Sequence, residues 1–325
     1  MERRTFISSV ALGLLAVPLA AEGQQARVYR VGVVLQGGPY FGAVDGLRKG
    51  LAELGLEEGK QFILHVREGR GDLKAVEQAA ADLERAKVDL IYSVGTSVTL
   101  AVKQATKTVP IVFYAGGDPV SFGLVESFGK PGGRLTGIYS GFTTDLTAKR
   151  LELLKEIVPR LRRVVMFYNP DNPVAERGMK EARDAARQLK LELVAHRAAS
   201  VEELRAGLRT LQGGRADAFL SAVDGMVISQ TALIIDIVRE KKLPAMFSQE
   251  DSVFKGGLAS YGVSYSVMGR LEAKYVQRIL LGANPGELPV EQVDRLYFVI
   301  NLKTAKALGL TISPALLQRA DQMIE

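Results

Sequence analysis

The chain has 325 residues, a net charge of +6 and no cysteine. That length can form two lobes of ordinary domain size. The lack of cysteine excludes disulfide staples, thiolate metal centres, cysteine nucleophiles and a lipid anchor on an N-terminal cysteine. The positive residues are interspersed with carboxylates along helical stretches such as KEARDAARQLK, and no dense basic run carries stacking aromatics. This pattern reads as a solvated surface and not as a nucleic-acid interface.

The N-terminal stretch MERRTFISSVALGLLAVPLAAEGQQA reads as an export signal. Arg3 and Arg4 precede an apolar run, and Ala20 and Ala21 are small enough for cleavage. The run is short for a membrane span, so residues 1–21 are expected to be removed, with Ala26 as a later alternative. The Arg3-Arg4 pair fits a twin-arginine route as well as the general secretory one.

From residue 28, strands and helices alternate. Strands are predicted at 28–35, 62–67, 90–94 and 111–114, with helices at 41–54, 72–86 and 96–106 between them. A strand at 135–138 and a crossover then lead to a helix at 146–157. A second series follows, with strands at 163–168, 192–195, 218–222 and 244–247 and helices at 174–189, 201–211 and 226–240. Residues 257–263 can cross back to the first lobe, where a helix at 265–281 is expected. A late strand at 296–300 and a short helix at 302–308 complete the reading.

Such alternation predicts an α/β protein of two doubly wound parallel-sheet lobes joined by a hinge crossed several times. The expected first lobe is 27–140 with 262–295. The second is 145–258 with 300–325, and the crossings lie near 141–144, 259–261 and 296–300.

Ligands of open parallel sheets bind beyond the carboxyl ends of the strands. That rule selects Gln36 and Gly37 after the first strand, and Thr96 and Ser97 after the third. Gly116, Asp118 and Pro119 follow the fourth. In the second lobe it selects Tyr168, Asn169, Asp224 and Gln249. Phe142 and Tyr261 lie at crossings, where an aromatic ring can line a cleft.

Thr96 and Ser97 open a helix, so they either cap it or join its free N–H groups in holding an anion. Asp118, Asn169 and Asp224 either fix their own turns or receive a ligand amine or hydroxyl. No dinucleotide fingerprint, phosphate loop, nucleophile elbow or HExxH motif occurs. The two histidines are far apart, so no metal, no cofactor and no catalysis are expected.

Several segments resemble the substrate-binding proteins of a family of bacterial ABC-type uptake systems, the group related to the tryptophan-binding component TrpX. They are GLRKGLAELGLEEGK, DLIYSVGTSVTLAV, TKTVPIVFYAGGDPVSFGLVESFGKPGGRLTG, ASYGVSYSVMGRLEAKYVQRILLGANPGELPVE and YFVINLKTAKALGL. The likeness covers essentially the whole mature chain. It implies a type I periplasmic-binding-protein fold, a periplasmic location and a small-molecule solute. It also implies delivery to an ABC permease in the inner membrane with its ATPase, and a monomer is the expected state.

By the same resemblance, a ligand carboxylate would meet groups like Thr96 and Ser97, an amine would meet Asp118 or Asp224, and a ring would lie on aromatic side chains. AVDGMV stands where relatives often carry a polar run with Asn. A periplasmic sensing module and a sugar or nucleoside carrier use the same fold and remain alternatives.

Overall fold

The structure is a computed structural model that describes residues 27–141, 143–211 and 216–325. The expected export signal and Phe142 lie outside the described residues.

In chain order the first series is β1 (Tyr29–Leu35), α1 (Phe41–Glu53), β2 (Phe62–Glu68), α2 (Leu73–Arg85), β3 (Leu90–Val94), α3 (Thr96–Ala105), β4 (Ile111–Ala115) and β5 (Leu135–Tyr139). The second is α4 (Thr143–Ile157), β6 (Arg163–Tyr168), α5 (Pro173–Gln188), β7 (Glu192–Arg197), α6 (Val201–Thr210), β8 (Ala218–Leu220), α7 (Gly225–Ser229), α8 (Thr231–Glu240), β9 (Ala245–Phe247), α9 (Asp251–Phe254) and β10 (Ala259–Gly262). The chain then forms α10 (Tyr265–Leu280), β11 (Glu291–Gln292), β12 (Tyr297–Asn301), α11 (Leu302–Ala307), α12 (Pro314–Leu317) and β13 (Gln322–Ile324).

The strands form two sheets, ordered β11-β5-β4-β3-β1-β2 and β13-β12-β10-β9-β8-β6-β7. The first is parallel throughout, and the second is parallel except where β12 runs against β10. The first five strands of each series repeat one order, 2-1-3-4-5, the doubly wound arrangement whose ligand crevice lies where the order reverses. β3 and β4 are buried along their whole length. Helices cover both faces of that sheet, so its central strands are continuous apolar runs and not alternating ones.

The chain changes sheet three times, after Tyr139, after Gly262 and between Gln292 and Tyr297. The crossings expected near 259–261 and 296–300 therefore fall partly on paired strand residues. Ser260 pairs with Phe247 in β9, and Tyr261 pairs with Phe298 in β12. The predicted helix over 226–240 is two helices, broken at Gln230, which leaves the helical region at φ −96°, ψ 17°.

Helix α10 returns to the first lobe and packs on α1 through small residues. A methyl group on Gly269 would lie 1.8 Å from the Ala43 carbonyl oxygen, and one on Gly46 would lie 2.0 Å from the Ser266 carbonyl oxygen. The two backbones are thus in contact. Because Ser264 caps α10 through the Val267 N–H, this packing fixes where Tyr265 starts the helix.

On the inner face of that helix, Glu272 is fully buried and accepts a hydrogen bond from the Tyr92 hydroxyl, while its Oε1 has no partner among the described residues. Burial raises its carboxyl well above the usual carboxylate range, against the lowering effect of the Tyr92 bond. Folding therefore takes up a proton, and stability falls as pH rises from the ordinary carboxylate value toward the raised one. Glu272→Gln keeps the acceptor and removes the titration. We expect the variant to melt with the wild type near about pH 5 and above it near about pH 9, as read by thermal unfolding at each pH.

Candidate functional site

The carboxyl ends of both sheets face one another. The loop after β1 is pressed onto α7 of the second lobe: a methyl on Gly38 would lie 3.0 Å from the carbonyl oxygens of Ile228 and Ser229. Ile228 itself is fully buried in the apolar cluster of the first lobe. Gln36 is buried against Gly225, and its Oε1 has no partner among the described residues. At the other side of the cleft, the Arg177 guanidinium of α5 sits 4.6 Å from the centre of the Phe122 ring, which hangs from the loop after β4. Phe122 also borders a small cavity with Met166, Val174 and Val223 of the second lobe. The lobes are closed on each other.

Between the crossings is an interlobe cavity of about 40 Å³ lined by Tyr114, Gly116 and Ser140 of the first lobe, Leu146, Arg150, Val223 and Ser248 of the second, and Val263 and Tyr265. Its first-lobe wall is aromatic. Tyr265 lies 4.8 Å from Tyr40 and 5.8 Å, edge to face, from Tyr114. Burial pushes the Tyr114 hydroxyl up to about 12, offset in part by its bond to Ser140, and it raises the Tyr265 hydroxyl well above its ordinary value. These hydroxyls are neutral at physiological pH.

The cation of the cavity is Arg150. It occupies a position in the apolar stripe of α4, with Leu146, Leu153 and Ile157, and is 3% exposed. Its Nε donates to the Tyr261 carbonyl oxygen at 2.6 Å. Among the described residues no carboxylate pairs with it. Burial lowers it to about 10, partly countered by the neighbouring tyrosines Tyr265, Tyr114 and Tyr261, so it stays charged at neutral pH. A buried charge without a partner carries a large desolvation penalty, and a ligand anion removes that penalty.

The residues expected from sequence lie at strand ends and crossings, and they differ in their relation to this cavity. Gly116 lines it. Tyr261 anchors Arg150 and sets its ring edge to face on Phe298. The Thr96 hydroxyl accepts from the Gly117 N–H at 3.1 Å, tying two loops together, and Ser97 follows it in the first turn of α3. Asp118 is exposed and accepts from the N–H groups of Val120 and Ser121 at 2.8 and 3.2 Å. Pro119 closes the same loop by accepting from the Leu124 N–H. Gly37 holds a positive φ of 100° before the turn that carries Tyr40.

In the second lobe, Tyr168 is core. Asp224 is buried, accepts from the Asn169 and Met226 N–H groups at 2.7 and 2.9 Å, and so joins the ends of β6 and β8 at the switch point. Gln249 is buried and bonds Ser248 and Thr231. Sequence reasoning passed over Arg150, Tyr40, Tyr114, Ser140, Ser248 and Tyr265. A basic residue at a buried position of a helical stripe is the signal that marks Arg150.

The family profile described as ABC transporter substrate binding protein matches residues 30–324. The chain belongs to this family. A tyrosine-binding protein of Clostridioides difficile (strain R20291) is 29% identical over 268 residues, covering 82% of this chain and 76% of that one. Two solved structures show the same fold at 25% identity. An ABC domain from Streptococcus pneumonia in complex with L-Trp superposes with a TM-score of 0.79, covering 91% of this chain and all of that one. A ligand-free, open substrate-binding protein with adhesive properties from Clostridium difficile gives 0.60, covering 92% of this chain and 99% of that one. At equal identity, the arrangement of this substrate-binding protein is nearer to the ligand-bound relative than to the open one, in agreement with the contacts across its cleft.

The Phe122–Arg177 contact joins the two lobes across the closed cleft. Phe122→Ala removes a cation–π pair of about 1 kcal/mol and should weaken solute binding about fivefold, mainly through faster release. Small-angle scattering of the ligand-free variant should show a larger radius of gyration. An unchanged radius and release rate would assign the ring to packing within the first lobe.

Proposed function

We propose that this substrate-binding protein is the exported receptor of an ABC uptake transporter. It captures a small carboxylate-bearing solute between its lobes, closes on it, and presents the closed form to a membrane permease, without altering the solute chemically. It works in the periplasm, where the N-terminal signal would deliver it. The observation that carries this reading is Arg150, a buried guanidinium in the interlobe cavity with no carboxylate partner among the described residues. The ligands named for its relatives, tyrosine and L-Trp, both bear a carboxylate.

Closure follows from charge placement. In the open form a carboxylate can approach Arg150 from solvent. Closure then removes both charges from water while bringing up the first-lobe hydroxyls, so the bound solute favours the closed state over the open one.

The test is a thermal-shift screen of the purified protein against amino acids, organic acids, purines and sugars. A true solute raises the melting temperature with its concentration. Hits confined to carboxylates, with a scattering radius that shrinks on binding, are the expected outcome. A hit among neutral sugars alone would sink the reading.

A further inference from the structure

Helix α7 is divided between the two cores. Its Met226 and Val227 are buried in the apolar cluster of the second lobe. The next residue, Ile228, is buried in the cluster of the first lobe, with Leu35, Tyr40 and Val44.

By its attachments the helix belongs to the second lobe. Asp224 caps it through the Met226 N–H and also holds the Asn169 N–H after β6. The Ile228 N–H donates to the Asp224 carbonyl oxygen at 2.8 Å, and the Thr231 hydroxyl of α8 donates to the Ile228 carbonyl oxygen at 2.7 Å. Ile228 is thus carried by a fixed turn of one lobe into the core of the other.

Two loops of the first lobe receive that turn as bare backbone. Gly38, at φ 61°, abuts the carbonyl oxygens of Ile228 and Ser229. Gly71, at φ 93°, would place an added carbon 2.6 Å from Val201 Cγ2 of α6 and 3.0 Å from Ser229 Oγ. Both glycines hold a conformation that strains other residues, and both stand where a side chain would push the lobes apart. Ile228 is not part of the lining of the interlobe cavity.

Opening the cleft carries α7 away with the second lobe, so Ile228 would exchange the first-lobe core for water. Full burial of such a side chain shifts an equilibrium by about 10- to 100-fold. That bias toward the closed form acts whatever the solute is. The apparent affinity of a trap is its intrinsic affinity scaled by the fraction already in the binding-competent form.

We propose that Ile228 is a latch between the lobes. Seated in the first-lobe core, it holds a substantial fraction of the solute-free protein closed, and so raises the affinity for a solute it does not touch. This rests on the proposal that the lobes close on the solute, and not on the role of Arg150.

Because the chain has no cysteine, nitroxide labels can be placed at Lys74→Cys in α2 and Glu202→Cys in α6. Both residues are exposed, one on each side of the Gly71–Val201 contact. Pulsed dipolar spectroscopy of exhaustively dialysed protein reads the distance between them. The unsubstituted latch should give a short-distance population beside a longer one. Ile228→Ala should raise the ratio of long to short about tenfold or more, and Ile228→Leu by less than about threefold. Val227→Ala alters the neighbouring residue in the second-lobe core, so it should lower the melting temperature and leave the ratio unchanged. An unchanged ratio in Ile228→Ala, an equal shift in Val227→Ala, or a protein wholly at the long distance with Ile228 in place overturns the latch. If the distances shift as expected while no carboxylate raises the melting temperature, the latch stands and only the carboxylate reading falls.

Discussion

Arg150→Met is expected to weaken binding of the solute about 100-fold or more while leaving the ligand-free protein as stable as the wild type, or more stable by up to about 2 kcal/mol. The two effects have one cause. On burial the guanidinium has lost water, and among the described residues it has gained one backbone acceptor, the Tyr261 carbonyl oxygen. Replacing it with an apolar side chain of similar length removes an uncompensated charge. In the complex, the same replacement leaves the solute carboxylate buried without a cation, which costs about 3 kcal/mol or more.

A residue conserving only the charge separates the contributions. Arg150→Lys keeps the cation but loses the planar fork that can grip both carboxylate oxygens, and an intermediate loss of about tenfold is expected. Chemical denaturation of the apo proteins beside calorimetric titration reads both quantities. If Arg150→Met instead lowers apo stability by several kcal/mol, the arginine is a structural tie for β10 and not a solute clamp.

Much of the architecture is legible from the pattern of the chain. Strands such as Leu90–Val94 and Ile111–Ala115 are short apolar runs, buried throughout, that only a helix-covered parallel sheet can bury. What the pattern does not show is pairing. β11 has two residues and β13 three, too few to carry a period. β10 reads as a crossing because no local feature shows that β12 will run back along it.

The site divides in the same way. Strand ends mark the loops that face the cleft, since topology places them all at one edge of each sheet. Which polar atoms remain free after folding depends on contacts between distant segments. Asp224 is satisfied by Asn169, which lies 55 residues earlier. Among the described residues Arg150 has no acid beside it, because α4 carries it under β10 instead of into solvent. A stripe of Leu146, Leu153 and Ile157 with one arginine in it contains that information, provided an arginine there is read as buried.

The largest expected loss of stability lies at the α1–α10 crossing, and a second glycine gives the contrasting sign. Gly269→Val should lower the stability of the first lobe by about 3 kcal/mol or more. The first added carbon already lies 1.8 Å from the Ala43 carbonyl oxygen and 2.9 Å from the Leu47 nitrogen, both backbone atoms that no rotamer change can move. Helix α10 must shift outward, which opens the contact of Gly50 with Arg270 and Ala273 and displaces Tyr265 at the start of the helix. Solute binding should weaken along with stability, since that ring walls the cavity.

Gly178 in α5 meets nothing within 4 Å of its added carbon. Gly178→Ala should therefore raise stability by about 1 kcal/mol through helix propensity alone and leave binding unchanged. Denaturant midpoints measured at constant slope compare the two directly. Equal small effects at both positions would mean that α10 is not held against α1 by backbone contact, and that Tyr265 takes its position from the second lobe instead.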